Sequence, residues 1–248
     1  MLSDLYVLAL ARELRDGDRV HAGANQADVA LAVHVARRLW APSLKAVVSA
    51  SYVLGDPHDL SHLGKRCYDP ALVAGRRATF HQADAFDDLG RAPVMFAGGL
   101  QVDGRGNANL IGLPRAGGWK LRGPGSAGLA TMTAVAPRFF IACPVHDVRS
   151  LVETVERVSV LGDPVARQAL GLEPDALAAV ITPLARFTPS RDGLLLDELA
   201  PGVTLEAVRR ETGFAVRPAD DVRHRQPPTD EEQDVLDELR AVAEGSTR

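Results

Sequence analysis

Apolar positions recur at helical spacing over residues 3–15, where Leu5, Leu8, Ala9 and Leu14 share a side, and again from Gln26 to Trp40 through Val29, Val33, Ala36 and Leu39. Between them, after the turn signal Asp16-Gly17-Asp18, the stretch Arg19 to Gly23 predicts a short strand. Pro42 stops the second helix, and Leu44 to Ala50 is short, apolar and β-branched, as a buried strand requires. Strand, helix and strand in that order predict a parallel sheet covered by helices. From Tyr52 to Gly90 the pattern is broken by Gly, Pro, Asp and His, which predicts loops with one or two short helices. Pro93–Ala97, Trp119–Arg122 and Phe139–Cys143 predict further strands, each running into a glycine-rich or polar loop. In open α/β sheets, loops at the carboxyl ends of strands hold the ligand.

Toward the C-terminus, Pro174 to Val180 suits a helix and Ala179 to Leu184 a strand. Thr204 caps a short helix over 205–211, with Gly213 placed to end it. Residues 218–228 are polar and proline-rich, which predicts a linker. Thr229 to Glu232 form a capping box, and Val235, Leu236, Leu239 and Val242 make an apolar stripe on the helix it starts. The expected division is an α/β domain over 1–217, followed by a polar linker and C-terminal helix over 218–248.

Composition narrows the class. Of 248 residues, 46% are hydrophobic and 24% charged, enough for a sizeable core and incompatible with disorder throughout. A net charge of −4 argues against a nucleic-acid partner, which needs a basic footprint. The two cysteines, Cys67 and Cys143, form no C-x-x-C pair, so neither a disulfide framework nor a cysteine-rich zinc module is expected. No run of 18 uncharged apolar residues occurs, and the first residues lack a basic region and carry Asp4, so a cytoplasmic location without membrane partners is expected. Glutamate is distributed oddly: Glu13 and Glu153 bracket a stretch with none.

Three motifs bear on chemistry. Gly123-Pro124-Gly125-Ser126-Ala127-Gly128 fits G-x-G-x-x-G, with Asp147 about twenty residues on. Proline in the turn and a mid-chain position weaken a dinucleotide reading and favour a loop whose N–H groups face another anionic or carbonyl ligand. His58-Asp59-Leu60-Ser61-His62 has the spacing of a zinc helix without its glutamate, and a solvated loop or helix start suits it better; no metal site is expected. The most specific run is Gly98-Gly99-Leu100-Gln101-Val102-Asp103-Gly104-Arg105-Gly106-Asn107-Ala108-Asn109, a strand end followed by a polar reverse turn.

Gly98 to Asn109 resembles the signature of the β subunit of class I coenzyme A transferases, with the β subunit of glutaconate CoA-transferase the nearest type. Leu121 to Gly128 resembles that family's glycine-rich loop, Arg138 to Pro144 with 152–160 the strand and lead-out after it, and Leu199 to Phe214 its C-terminal P-G-V segment. The resemblance spans roughly residues 1–240. It implies a three-layer α/β/α open sheet, an α subunit of similar fold as partner, and an acyl-CoA substrate that brings coenzyme A with it, with no permanently bound cofactor. It also implies a glutamate that attacks the thioester to give an anhydride and then a glutamyl-CoA, with loop N–H groups holding the thioester oxygen.

Here the corresponding loop reads Val48-Ser49-Ala50-Ser51-Tyr52, and the glutamate position falls on Ala50, with Ser49 and Ser51 as its pocket neighbours. Alanine cannot attack a thioester, and the glutamate-free stretch offers no neighbour to replace it. Three readings remain. The α partner supplies the glutamate, as in the CoA hydrolases that open steroid rings in actinobacteria; or Ser49, Ser51 or Asp56 serves a thioesterase or transferase; or the chain is a silent, stabilising subunit. The first is favoured because Gly98, Gly99 and Gln101, with Gly123, Gly125, Ser126 and Gly128, leave the acyl-CoA loops intact. Arginine supplies 25 of the 28 basic residues, which suggests a GC-rich genome such as an actinobacterium.

Overall fold

A central strand parallel to both its neighbours anchors the first part of the chain. The computed structural model describes residues 2–23, 26–48, 52–53, 60, 62–64, 94–126 and 128–245. They gather into two compact units, one of residues 3–96 with 227–248, the other of residues 97–226. The first unit contains α1 (Leu2–Ala11), β1 (Arg19–Ala22), α2 (Ala27–Leu39), β2 (Lys45–Val48), β3 (Tyr52–Val53), the start of β4 (Val94–Gly98) and the C-terminal helix Asp230–Gly245. Strand β1 lies between β2 and β4, with His21 opposite Val47 and Met95, and β3 pairs antiparallel with β2. The parallel strand–helix–strand unit read from the sequence is present.

Its helices depart from the amphipathic reading. Leu5 to Ala11 of α1 and Val29 to Arg37 of α2 are buried at every position, His34 and Arg37 included. The C-terminal helix packs on α2 and pairs Glu238 with Arg38. Its capping box forms as expected: Glu232 N–H donates to Thr229 Oγ1 (3.1 Å), and Thr229 N–H donates to Glu232 Oε2 (2.9 Å). Glu232 also accepts from Arg12 Nε (3.0 Å) and Nη2 (2.6 Å), tying the cap to the end of α1. Leu236 and Leu239 of the stripe are buried against this chain's own first unit.

The second unit contains β5 (Gln101–Asp103), β6 (Ala108–Asn109), β7 (Gly112–Arg115), β8 (Gly118–Arg122), α3 (Leu129–Val135), β9 (Phe139–Ala142), β10 (Leu151–Val152) and α4 (Pro164–Ala169). There follow β11 (Leu177–Ile181), β12 (Ala185–Ser190), β13 (Gly193–Leu199), α5 (Leu205–Arg210) and β14 (Arg217–His224). Strands β9, β11, β12, β13 and β14 lie side by side in that order, parallel at β9/β11 and β13/β14 and antiparallel between. Phe139, Ile141, Val180, Phe187 and Leu196 are fully buried in its core. Two smaller sheets complete the unit, β10-β5-β6 and the hairpin β7-β8.

Three expectations are corrected here. The helix expected over 174–180 is a single 3-10 turn, Pro174–Ala176, because the apolar run after it pairs with β9 as strand β11. The linker expected over 218–228 is largely strand β14. An edge strand tolerates polar residues and Pro218, and Arg223 and Arg225 hold it by pairing with Asp197 and Glu198 of β13. Helix α5, capped by Thr204 as expected, ends at Arg210. Gly213 is needed for a close approach instead: its N–H donates to Leu151 O at 2.7 Å, and a Cβ would stand 2.4 Å from that oxygen.

Candidate acyl-CoA site

The polar turn after β5 is held by side chains that the sequence places on it. Asp103 Oδ1 accepts from the N–H of Arg105 (3.0 Å) and Asn107 (2.9 Å), and Asp103 Oδ2 accepts from Asn107 Nδ2 (3.2 Å). Asn107 Oδ1 in turn accepts from the N–H of Gly162 (3.1 Å) and Asp163 (3.2 Å). Every polar atom that makes this turn specific is therefore engaged in shaping it.

Residues 109–111 form a tongue gripped by both glycine-rich segments. Leu100 N–H donates to Asn109 O (2.7 Å), Gly125 N–H to Leu110 O (3.1 Å) and Gly123 N–H to Ile111 O (2.9 Å). Gly123 is fixed by crowding, since a Cβ there would stand 2.4 Å from Leu110 O and 2.7 Å from Leu100 Cδ1. The two motifs that the sequence keeps twenty residues apart are thus packed side by side. Gly125 (φ +91°) and Gly128 (φ +89°) adopt the left-handed conformation that glycine favours.

This geometry changes which donors the site can offer. The N–H groups of Gly123 and Gly125 already have acceptors, whereas no described residue accepts from the N–H of Gly99, Ser126 or Gly128. Buried Asn109 donates from Nδ2 to Gln101 Oε1 (2.9 Å) and Gly112 O (3.0 Å), and its Oδ1 accepts from Ile111 N–H (3.0 Å) and Gly112 N–H (3.2 Å). Gln101, itself buried, has its oxygen taken and its amide NH2 without an acceptor among the described residues. The dinucleotide reading of 123–128 loses its context. Strand β8 before it is exposed and pairs only with β7 in a two-stranded sheet, and the helix after it has seven residues.

Ser49, Ala50 and Ser51, where the family nucleophile would project, lie outside the described residues, as do His58 and Cys67. His62 is not solvated as expected: it is buried and stacked on His34, their Nε2 atoms 3.3 Å apart. Among the described residues no group of three or more His, Cys, Asp or Glu could hold a metal. Glu153, the first glutamate after the gap, is exposed beyond β10. Burial pushes the Cys143 thiol up to about 12, and its Sγ lies 3.1 Å from Val145 O, so it is no nucleophile.

Two histidines escaped the sequence reading. His21, on β1, is buried with neither ring nitrogen partnered among the described residues, and burial pushes its pKa down to about 4. His146 bridges Thr182 Oγ1 (2.8 Å from Nδ1) and Thr212 Oγ1 (3.0 Å from Nε2), and burial likewise holds it down to about 4. Both are neutral near pH 7. A histidine inside an apolar stretch carries no local signal that separates these environments from a surface one.

No family model matches the sequence. The β subunit of 3-oxoadipate CoA-transferase from Pseudomonas knackmussii is 31% identical over 157 residues, a stretch covering 61% of this chain and 60% of that relative's length. The crystal structure of glutaconate coenzyme A-transferase from Acidaminococcus fermentans matches with a TM-score of 0.82 at 18% identity, over 96% of this chain and 94% of that one. The chain is thus similar to class I coenzyme A transferases, in sequence over that stretch and in fold over nearly its whole length. Two further structures share this fold. One is the decarboxylase AibA/AibB, with TM-score 0.82, 24% identity, and 95% and 93% of the two chains covered. The other is IpdAB of Rhodococcus jostii RHA1, with TM-score 0.76, 20% identity, and 100% and 98% covered. The α/β/α open sheet expected from the sequence is the fold this chain shares with them. No helix among the described residues is long and apolar enough to cross a membrane.

Proposed function

We propose that this chain is the β subunit of a heteromeric enzyme acting on an acyl-CoA thioester, with a second, α subunit of related fold as its partner. The observation that carries this reading is the set of unengaged donors, the N–H groups of Gly99, Ser126 and Gly128 and the amide of Gln101, on the segments that bear the family signature. Negative charge that develops on a thioester oxygen during reaction is best stabilised by donors fixed in place beforehand. Asn109 fixes Gln101, and the tongue 109–111 fixes the glycine segments.

The reaction is hydrolysis rather than transfer through a glutamyl-CoA on this chain. Ala50 stands at the nucleophile position, and residues 14–152 contain no glutamate. A carboxylate contributed by the α subunit acts as base on water, and this chain binds and polarises the CoA ester. The resemblance to the CoA hydrolases that open steroid rings in actinobacteria favours this reading, together with an acyl group from such a degradation. The enzyme works in the cytoplasm, with coenzyme A entering only as part of the substrate and with no resident cofactor, metal, nucleic acid or membrane partner. An acyl-CoA:carboxylate transferase is the second reading, supported by the resemblance to the 3-oxoadipate CoA-transferase β subunit.

The test is to co-express the chain with its α partner, purify the complex, and follow acyl-CoA loss with and without a carboxylate acceptor. Acceptor-independent consumption of the acyl-CoA with addition of water is expected. Turnover that requires the acceptor would replace hydrolase by transferase, and absence of both association and CoA-ester affinity would end the acyl-CoA reading.

A further inference from the structure

Most of the bonds that shape the tongue 109–111 come from nearby in the sequence. Leu110 O accepts from Gly125 N–H, Ile111 N–H donates to Asn109 Oδ1, and Ile111 O accepts from Gly123 N–H and from Arg122 Nη1 (2.8 Å). Ser159, in the segment after β10, is the exception: its Oγ accepts from Leu110 N–H at 2.9 Å across 49 residues of chain. Among the described residues it is the one partner from outside residues 98–128 that the N–H and C=O groups of the tongue have.

Ser159 is itself firmly held. It is 1% exposed, its N–H and that of Val160 donate to Ala108 O (2.8 and 3.1 Å), and Ala108 N–H donates back to Val160 O (2.9 Å). A trans peptide is planar, so Leu110 N–H and Asn109 C=O turn together as one unit. Ser159 grips one edge of that unit, and at the other edge Asn109 O accepts from Leu100 N–H at 2.7 Å. Leu100 stands between Gly99 and Gln101, which carry two of the unengaged donors, and the next tongue peptide holds Gly125, beside the third at Ser126. An N–H deprived of its acceptor in a part-buried place turns toward another partner. Here that turn would carry the Asn109 carbonyl away from Leu100 and disturb the donor segments on both sides.

We propose that Ser159 is a positioning residue for the acyl-CoA reaction: through the Asn109–Leu110 peptide it holds the donors of 99–101 and 126–128 in line with the thioester oxygen. It touches no reacting atom itself. This rests on the acyl-CoA reading above and adds to it the support on which the alignment of the donors depends. Misaligned donors slow the chemical step, where charge develops, more than they weaken binding of the ground state.

The complex of this chain with its α partner is prepared as wild type and as Ser159→Ala, Ser159→Thr and Ser159→Val. Threonine and valine have the same shape and only threonine keeps the acceptor, so a loss through crowding is common to both. Ser159→Ala is expected to lower kcat by about tenfold with KM for the acyl-CoA within about twofold of wild type, and Ser159→Thr to retain more kcat than Ser159→Val. Infrared spectra of a carbonyl-labelled acyl-CoA bound to the complex give a readout that loss of folded enzyme does not move: the carbonyl stretch is expected at lower frequency in wild type than in Ser159→Ala. A kcat and a stretch unchanged in Ser159→Ala, or equal kcat in the threonine and valine variants, overturns the proposal; where the two larger side chains prevent folding, Ser159→Ala decides alone. Amide hydrogen exchange separates this outcome from failure of the acyl-CoA reading. If wild type neither binds nor turns over acyl-CoA, that reading fails, while faster exchange at Leu100 and Leu110 in Ser159→Ala still supports the hold of Ser159 on the donor segments, and unchanged exchange overturns it.

Discussion

Asn109 Nδ2 donates to Gln101 Oε1 at 2.9 Å in a buried position, and this one bond decides which end of the Gln101 amide is available. Asn109 has only donors to offer from its nitrogen, and its oxygen is already held by the N–H groups of Ile111 and Gly112. Gln101 must therefore present its oxygen inward and its NH2 outward. Replacing Asn109 by Asp removes the donor and turns that constraint around. In the complex, Gln101→Leu and Asn109→Asp should each lower kcat/KM for acyl-CoA by roughly 10-fold, in the range of one lost charge-facing hydrogen bond of about 1.5 kcal/mol. Steady-state kinetics beside a thermal melt checks this. A loss that merely tracks unfolding would contradict it.

The glycines of the site differ in what they tolerate. At Gly123 a methyl group would meet Leu110 O at 2.4 Å, whereas at Gly118, on the hairpin, nothing lies within 4 Å. Gly123→Ala should destabilise by about 1–3 kcal/mol, the usual range for overpacking, and Gly118→Ala by less than about 0.5 kcal/mol. Urea titration of the two variants measures the difference.

Buried neutral histidines give the protein an acid sensitivity of definite sign. His21 and His146 are held down to about 4 from a usual 6.5. The unfolded chain takes up these protons below pH 6.5 and the folded chain refuses them until about pH 4, so stability is complete above 6.5 and falls between 6.5 and 4. Each group contributes up to about 3 kcal/mol to that fall. His21→Leu should reduce the difference in melting temperature between pH 7.5 and pH 5 whatever its effect on the absolute value. Asp147, Asp163 and Glu232 are held below the usual carboxylate range, Asp147 at about 2, against the cost of burial. Arg149, Arg105 and Arg12 are, respectively, the chief partners opposing that cost. Their share is present above the unfolded carboxylate values and is lost only at lower pH.

Thr229 and Glu232 satisfy each other's N–H groups at the start of the last helix, and Arg12 adds its guanidinium to the same carboxylate. Thr229→Val should cost about 1 kcal/mol as an ordinary lost cap. Glu232→Ala should cost more, since it also leaves the partly buried Arg12 without this partner. Chemical denaturation of both single variants checks the order.

Local signals carried far in this chain where the chemistry was itself local. The capping box at Thr229, the cap at Thr204 and the turn at Asp103 to Asn107 are each closed by side chains within four residues, and all formed where the sequence placed them. The parallel pairing of β1 with β2 followed from the strand–helix–strand order. What was illegible depended on distant partners. Arg217 to His224 is polar and starts beside a proline, and its pairing with the neighbouring strand β13, where Asp197 meets Arg223, makes it β14. The hairpin β12–β13 lay hidden because Ala185 to Leu199 alternates apolar and polar residues too irregularly to read alone. Gly98, Gly99, Gln101 and the loop at 123–128 were legible as a motif, but motif spacing could not say that Gly123 and Gly125 use their N–H groups on the tongue while Gly99, Ser126 and Gly128 do not.

The central claim is that this chain takes part in acyl-CoA turnover without forming a covalent intermediate of its own. Intact-mass spectrometry of the complex, quenched during turnover of an acyl-CoA, tests it most directly. Turnover of the acyl-CoA with the mass of this chain unchanged is the expected result. A gain of coenzyme A less one water on this chain, or no turnover with the α partner present, would contradict it.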